Sequence, residues 1–341
     1  MSLGNLQNMP RVRLDAGQTV FEPLDRLSTA NGGARIWAKR DDAQGLAFGG
    51  NKVRQLEYYF GQAVTEGADT VLITGAVQSN FCRLTAAFAA KLGMACHIQQ
   101  EERVAKNAPL YRESGNVLVE KLLGATLHPF AAGEDEAGAD ANLEAIADEL
   151  RAKGRKPYVI HLAPGHPPFG ALGYIHCAEE VLAQAEEAGI AIDHIAVPSG
   201  SGATHAGFLF GMRALGSNIP VTGICVRRDA ASQRPRIETR CQEIADLLGV
   251  ENPVAPGDIV INDRFLPPGY GMLNAPTERA ILLGARTEAL MLDPVYSGKC
   301  MAGALAIAGN LSSDRNVLFI HTGGVFGLLP FADRLPEAEL G

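Results

Sequence analysis

Short apolar, β-branched runs alternate along this chain with longer stretches whose apolar residues recur every three or four positions. The first kind predicts buried strands and the second amphipathic helices. Strands are expected at Ala34–Lys39, at Thr70–Thr74 with a break at Gly75, at Cys96–Gln99 and at Ala125–His128. Others are expected at Tyr158–Ile160, His194–Val197, Val221–Val226 and Val317–Ile320. Between them, helical spacing runs from Lys52 to Val64, through Leu84, Ala87, Phe88 and Leu92 up to Gly93, from Asn116 to Leu123, from Tyr174 to Ala188 and from Ala206 to Leu215. Residues 12–39 read as an extended entry segment, residues 131–141 as a small, acidic surface connection, and residues 227–240, with five arginines, as a solvated helix entry, with a sulfonate or phosphate patch as the lesser alternative.

Alternation of this kind predicts an α/β fold of two open, mostly parallel twisted sheets with helices on both faces. Ligands in such folds bind beyond the carboxyl ends of strands. Three polar, Gly-rich turns fall at that position: Gly75 to Asn80, Ser199 to Thr204, and Thr322 to Gly324. They are expected to converge on one site in the cleft between two lobes.

Composition narrows the partner. The 341 residues suffice for two lobes with separate cores, and 47% are hydrophobic, as in ordinary soluble domains. A net charge of −8 argues against nucleic acid, which would demand a basic surplus. No apolar run is long enough to span a bilayer. The six cysteines are scattered without a C-x-x-C pair, so a reducing cytoplasm is expected. The eight histidines show no metal-ligand spacing, so His161, His166 and His205 read as structural and no metal is expected.

Candidate chemistry begins at Gly49-Gly50-Asn51-Lys52. Asn51 suits a helix N-cap and would place Lys52 in the first turn, where the helix dipole disfavours an ammonium and favours a neutral, nucleophilic amine. A lone lysine at a helix start is ordinarily a solvated charge, so its companions decide. The turn Ser199-Gly200-Ser201-Gly202-Ala203-Thr204 opens a helix with small residues and free amides, an arrangement that binds phosphate. It is neither a dinucleotide fingerprint nor a P-loop. Ser79 N-caps the next helix, whose start can hold a carboxylate, and Asn80 can bond a phenolate-type oxygen. Thr322 offers a neutral hydroxyl, and Tyr270 and Tyr296 sit in loop-like settings. Together these groups match what pyridoxal 5'-phosphate requires.

The chain resembles the D-cysteine desulfhydrase and 1-aminocyclopropane-1-carboxylate deaminase family of fold-type-II, tryptophan synthase β-like pyridoxal-phosphate enzymes. The motifs Gly49-Gly50-Asn51-Lys52, Gln78-Ser79-Asn80, Ser199-Gly200-Ser201, Asp293-Pro294-Val295-Tyr296 and His321-Thr322-Gly323-Gly324 occur in family order, and the resemblance spans residues 23–330. It implies that Lys52 holds the cofactor as a Schiff base and shuttles the Cα proton, that Asn80 meets the ring O3′, and that Ser199 to Thr204 hold the phosphate. It also implies that Thr322 meets the pyridine nitrogen, that Gln78, Ser79, Asn80 and Phe81 surround the substrate carboxylate, and that Tyr270 and Tyr296 act as hydrogen-bonding or proton-transfer groups. A larger cofactor-binding domain (residues 1–55 and 163–341), a smaller α/β domain (residues 56–162) and a homodimer follow from the same likeness.

Two departures bear on substrate. Ring-opening deaminases of the family carry a glutamate after the motif tyrosine and a leucine before the final Gly-Gly, where this chain has Ser297 and Thr322. A hydroxyl at the pyridine nitrogen leaves a weaker electron sink than an acid and favours β-elimination. Phe81 replaces a polar residue found in relatives and removes a donor from the carboxylate corner. The expected activity is β-elimination from a small cysteine-like amino acid. L-cysteate sulfo-lyase and the ring-opening deaminase are alternatives within the family, and a non-catalytic two-lobed solute-binding protein is the alternative outside it.

Overall fold

In the computed structural model, which describes residues 3–14, 17–104, 108–332 and 334–335, the apolar runs form two sheets. The strands are β1 (Phe21–Pro23), β2 (Arg35–Arg40), β3 (Thr70–Ala76), β4 (Ala95–Glu101), β5 (Thr126–Phe130), β6 (Pro157–Ile160), β7 (His194–Ser199), β8 (Val221–Cys225), β9 (Val260–Asn262) and β10 (Asn316–His321). One sheet runs in the order β1-β2-β10-β7-β8-β9, and the other β5-β4-β3-β6. Every pairing is parallel except β1 with β2.

The helices are α1 (Asp25–Asn31), α2 (Lys52–Thr65), α3 (Asn80–Leu92), α4 (Pro109–Glu113), α5 (Gly115–Leu122), α6 (Glu136–Ala152), α7 (Phe169–Glu187), α8 (Ala203–Ala214), α9 (Ala230–Leu248), α10 (Ala275–Glu288) and α11 (Ser297–Gly309). Alternate residues of the six-stranded sheet feed two cores. Ile195, Val197, Leu318 and Ile320 pack with α7, α8 and α9, while Ala196, Val317 and Phe319 pack with α1, α10 and α11. In the smaller sheet Val71 and Ile73 meet α2 and α3, and Leu72 meets α6. Burial on both faces explains why these strands read as continuous apolar runs.

Several expectations are corrected. The entry segment is not extended throughout, since it contains α1; its residues 15–16 lie outside the described residues. The acidic stretch is a helix from Glu136 onward, because the Asp135 side chain caps it by accepting from Gly138 N at 2.9 Å. Strand β3 continues through Gly75 to Ala76, and a Cβ on Gly75 would fall 2.7 Å from Cys82 Sγ, so the missing side chain lets α3 pack there. Helix α2 runs from Lys52 to Thr65 and so spans the position, between residues 55 and 56, at which one lobe is expected to pass into the other.

Strand order locates the site. In the larger sheet the order reverses between β7 and β10, and in the smaller one between β3 and β6. The carboxyl ends of β3, β7 and β10 lead into Ser79, Gly200 and Thr322 respectively, at such reversals.

A buried ion cluster supports the lysine turn from below. Arg54, on α2, meets Asp41 at 3.0 Å and Glu180 of α7 at 2.7 Å; Lys39 meets Glu180 at 2.8 Å. Tyr174 and Thr19 also donate to Asp41, whose backbone oxygen accepts from Gly50 N at 2.9 Å. Removing one partner strands a buried charge. We expect Asp41→Asn to lose about 3 kcal/mol in urea unfolding; a loss indistinguishable from zero would show that the cluster does not hold this region.

Candidate active site

The three turns line one cavity between the two sheets. Lys52, Ser79, Asn80, Phe81, Gly200, Ser201, Gly202, Thr204, Tyr270, Tyr296 and Thr322 all line it.

Lys52 begins α2 as expected, but Asn51 does not cap it. Asn51 has helical dihedrals (φ −51°, ψ −22°) and its amide donates to Thr204 Oγ1 at 2.8 Å. The Gln55 amide donates to the same oxygen at 2.7 Å. With both lone pairs engaged, the Thr204 hydroxyl hydrogen is left for a ligand oxygen. Around Lys52 Nζ the surroundings are largely apolar. It sits 4.7 Å from the centre of the Phe81 ring, and Gln55 Oε1 is 3.5 Å away. Burial pushes its pKa down to about 7, so the amine is neutralised by desolvation, where the sequence suggested the helix dipole.

The turn before Lys52 is held against Thr322. Asn51 N donates to Thr322 O at 3.0 Å, and a Cβ on Gly323 would fall 2.8 Å from Gly50 Cα. On the other side, buried Arg83 of α3 donates to Ala47 O and to Gly49 O, and it donates to Asn116 Oδ1 at 2.8 Å. Asn116 Nδ2 in turn donates to Asn80 Oδ1 at 3.0 Å, which leaves the Asn80 amide hydrogens facing the cavity as donors.

Ser79 caps α3, accepting from Cys82 N at 3.2 Å. Gln78 is corrected: its side chain bonds Tyr111 O, Ser114 O and Asn116 N and does not line the main cavity. It braces α5. Ser199 is corrected likewise, since its hydroxyl points into the core toward His205 Nδ1 at 3.1 Å and Gln233 Nε2 at 2.9 Å. Neither Ser199 nor Ala203 lines the cavity, so only their main chain is available to a phosphate. Burial pushes His205 down to about 3, so it is a neutral prop for the turn. Ser297 also turns away, bonding Asp293, whose carboxylate gathers the N–H groups of Val295, Tyr296 and Ser297.

Tyr270 and Tyr296 meet directly, with their hydroxyls 2.6 Å apart. Burial raises both phenols above their ordinary pKa, and for Tyr296 the neighbouring Tyr270 raises it further, so the pair is neutral. Lys299 holds the Tyr270 loop by donating to Leu266 O and Gly269 O, each at 2.8 Å.

Two arginines also line the cavity, Arg103, which the sequence reading missed, and Arg227, which it placed in a run read mainly as solvated. Arg103 reaches the cavity while paired in bidentate fashion with Glu101. The Arg227 side chain is only 6% exposed and pairs with Glu134 and Glu136; its Nε is buried with no hydrogen-bond partner in the structure. Position directly after β8 was the available signal, since that too is a carboxyl end of a parallel strand.

The residues present fit pyridoxal phosphate: a desolvated amine, a phosphate-sized turn at a helix start, an oriented amide and a hydroxyl share one cavity. Competitive acylation of the cofactor-free protein, read by mass spectrometry at the Lys52 peptide, is expected to titrate near pH 7. Below that pH the amine is protonated and inert; above it reactivity reaches a plateau. An inflection near 10.5 would show that the amine is not desolvated.

Comparison with known proteins agrees with this chemistry. A family model described as pyridoxal-phosphate dependent enzyme matches residues 12–323. A D-cysteine desulfhydrase of Klebsiella pneumoniae is 40% identical over 337 residues, 98% of this chain and 100% of the relative. A 1-aminocyclopropane-1-carboxylate deaminase of Burkholderia vietnamiensis is 39% identical over 333 residues, 96% of this chain and 98% of the relative. The crystal structure of a protein described as an ACC deaminase homologue superposes with a TM-score of 0.86 at 34% identity, covering 97% of both chains. An O-ureido-L-serine synthase structure, at 16% identity and TM-score 0.66, shares the fold. The chain therefore belongs to the pyridoxal-phosphate dependent enzymes, among the relatives of 1-aminocyclopropane-1-carboxylate deaminase and D-cysteine desulfhydrase.

Proposed function

We propose that this enzyme is a lyase that removes the β-substituent of a small cysteine-like amino acid, converting cysteine and water to sulfide, pyruvate and ammonia. The observation that carries this reading is the pairing of a desolvated Lys52 amine with two neutral, hydrogen-bonded phenols in the same cavity. Membership of an enzyme family sets aside the solute-binding alternative.

When bound, the cofactor supplies the electron sink at the substrate Cα. The start of α3, with Ser79 and Asn80, holds the substrate carboxylate. Lys52 Nζ takes the Cα proton, and its low pKa keeps a neutral base available at neutral pH. One phenol of the Tyr270–Tyr296 pair gives a proton to the departing sulfur, its partner stabilises the resulting phenolate through the shared hydrogen bond, and a proton from solvent restores the pair. Phe81 covers the amine on one side and excludes water. Among the described residues no carboxylate lines the cavity, and the Thr322 side chain, which would meet the ring nitrogen, is a neutral hydroxyl; both support β-elimination over ring opening. In this reading the larger lobe, residues 1–55 and 163–341, holds the cofactor. Residues 56–162 supply the carboxylate corner.

A second reading, L-cysteate sulfo-lyase, is favoured by Arg103 and by the unpartnered Nε of Arg227, which suit a leaving group that is already anionic. Among the described residues no helix is long and apolar enough to cross a membrane. A homodimer acting in the cytoplasm is the setting we propose.

A panel of D- and L-cysteine, β-chloroalanine, L-cysteate and 1-aminocyclopropane-1-carboxylate, assayed for 2-oxo acid, tests the substrate. Turnover of a cysteine is expected; turnover of the cyclopropane substrate alone would overturn the elimination reading. Lys52→Ala is expected to abolish turnover and the borohydride-sensitive absorption of the bound cofactor. Arg227→Gln separates the two readings, since it should raise KM for cysteate tenfold or more, by about 1.4 kcal/mol or more, and leave KM for cysteine near its original value. Light scattering is expected to give twice the 36.1 kDa chain mass; a monomer would contradict the dimer.

A further inference from the structure

Outside the cavity, one group of side chains combines ligand chemistry with an unmet bonding need. The connector between β6 and α7 carries His161 and His166, and α6 lays Asp140 and Glu144 beside it. Glu144 Oε1 is 2.9 Å from His161 Nε2. Donation of the Nε2 hydrogen to that carboxylate fixes the tautomer with the Nδ1 lone pair free, the arrangement by which carboxylates orient metal-ligating histidines. His161 Nδ1 is buried and makes no hydrogen bond in the structure, although Asp140 Oδ1 stands 3.3 Å away. The other Asp140 oxygen faces His166 Nε2 at 3.6 Å, and the two imidazoles lie parallel with centres 4.0 Å apart. A lone pair and a carboxylate repel at that distance, so either a proton or a metal ion belongs between them.

We propose that Asp140, His161 and His166 bind a first-row divalent transition ion, with Zn²⁺ the best match. Two imidazoles and one carboxylate are borderline donors that suit zinc better than magnesium or calcium. Donors at ~2.0–2.1 Å from a tetrahedral ion are roughly 3.4 Å apart. The three donor atoms lie within 4.8 Å of one another, and the Asp140 carboxylate faces both rings, with Oδ1 3.3 Å from His161 Nδ1 and Oδ2 3.6 Å from His166 Nε2. The competing occupant is a proton on His161 Nδ1, and the burial-opposed pull of Asp140 and Glu144 raises the affinity for it. Metal binding releases that proton to solvent. Arg240 is an opposing charge beside the connector; it donates to Leu162 O and His166 O and is paired with Glu243 at 2.7 Å.

The location gives the site its interest. Leu162 sits in the connector beside His161 and lines the active-site cavity. A bound ion would tie α6 of the smaller lobe to the segment that carries Leu162 into the larger one.

Chelator-treated holoenzyme, passed through a desalting column after exposure to Zn²⁺, is expected to retain one ion per chain by elemental analysis. Affinity by calorimetry should fall tenfold or more in each of His166→Gln and Asp140→Asn, with the cofactor absorbance unchanged. Two variants at separate ligands keep the result independent of either one's folding. His97→Gln, which removes half of the other imidazole pair (His97–His128), should keep the ion. No retention by the parent chain, or equal affinity in both ligand variants, overturns the proposal, as does loss of the ion in His97→Gln.

Discussion

Everything in the active site depends on how closely the turn Gly49-Gly50-Asn51 approaches the turn Thr322-Gly323. The contact is between main chains: Asn51 N reaches Thr322 O at 3.0 Å, and no side chain fits between Gly50 and Gly323. It fixes two chemically distinct groups relative to each other, the Lys52 amine at the start of α2 and the Thr322 hydroxyl after β10. The approach is supported from below by the Asp41–Arg54–Glu180 cluster and from the smaller lobe by Arg83, whose guanidinium gathers Ala47 O and Gly49 O. The strain in this turn is visible in the positive φ of Ala47 (43°) and Phe48 (64°). Such strain persists only where surrounding bonds over-determine the backbone.

The fold was readable because both sheets are buried on both faces. Apolar runs such as Val317–Ile320 have nowhere to go except a sheet interior, and their short spacing with helices leaves few topologies. The readings that failed share a cause. The acidic stretch of residues 131–141 and the arginine run after Val226 read as solvated because charge usually means solvent. Here Arg227, Arg228 and Arg236 converge on Glu136, and charges that neutralise one another across an interface can be buried. Burial alone would raise the Glu136 pKa, but the three guanidiniums outweigh it and hold the carboxyl below its ordinary range. Pairing between segments 91 to 100 residues apart has no local signature.

At the site, residue types were legible and orientations were not. Gln78, Ser199 and Ser297 lie in motifs and look like ligand contacts, yet each turns its side chain into the scaffold. Their role is to hold the residue beside them: Gln78 braces the approach to Ser79 and Asn80, Ser199 anchors the phosphate turn, and Ser297 completes the turn that presents Tyr296. Conversely, Gln55 and Asn116 carry no motif. They set the direction of the Thr204 hydroxyl and the Asn80 amide. A motif records which positions matter, whereas hydrogen-bond direction is decided by partners far away in sequence.

The same interlobe charges that close the cavity also bear on what it accepts. Arg227 is bound through its terminal nitrogens to Glu134 and Glu136 of the smaller lobe, which leaves only Nε facing inward. A guanidinium held in this way cannot swing toward a ligand; it presents one donor from a fixed position, and its charge is largely offset. That arrangement can read an anion held rigidly in the cavity but gives little general attraction to anionic solutes. Arg103 is constrained in the same manner by Glu101. If the lobes separate, both acidic partners of Arg227 move with the smaller lobe and its full charge is exposed. Substrate entry and substrate reading then place opposite demands on one side chain, and the balance is set by Glu134 and Glu136, neither of which lines the cavity.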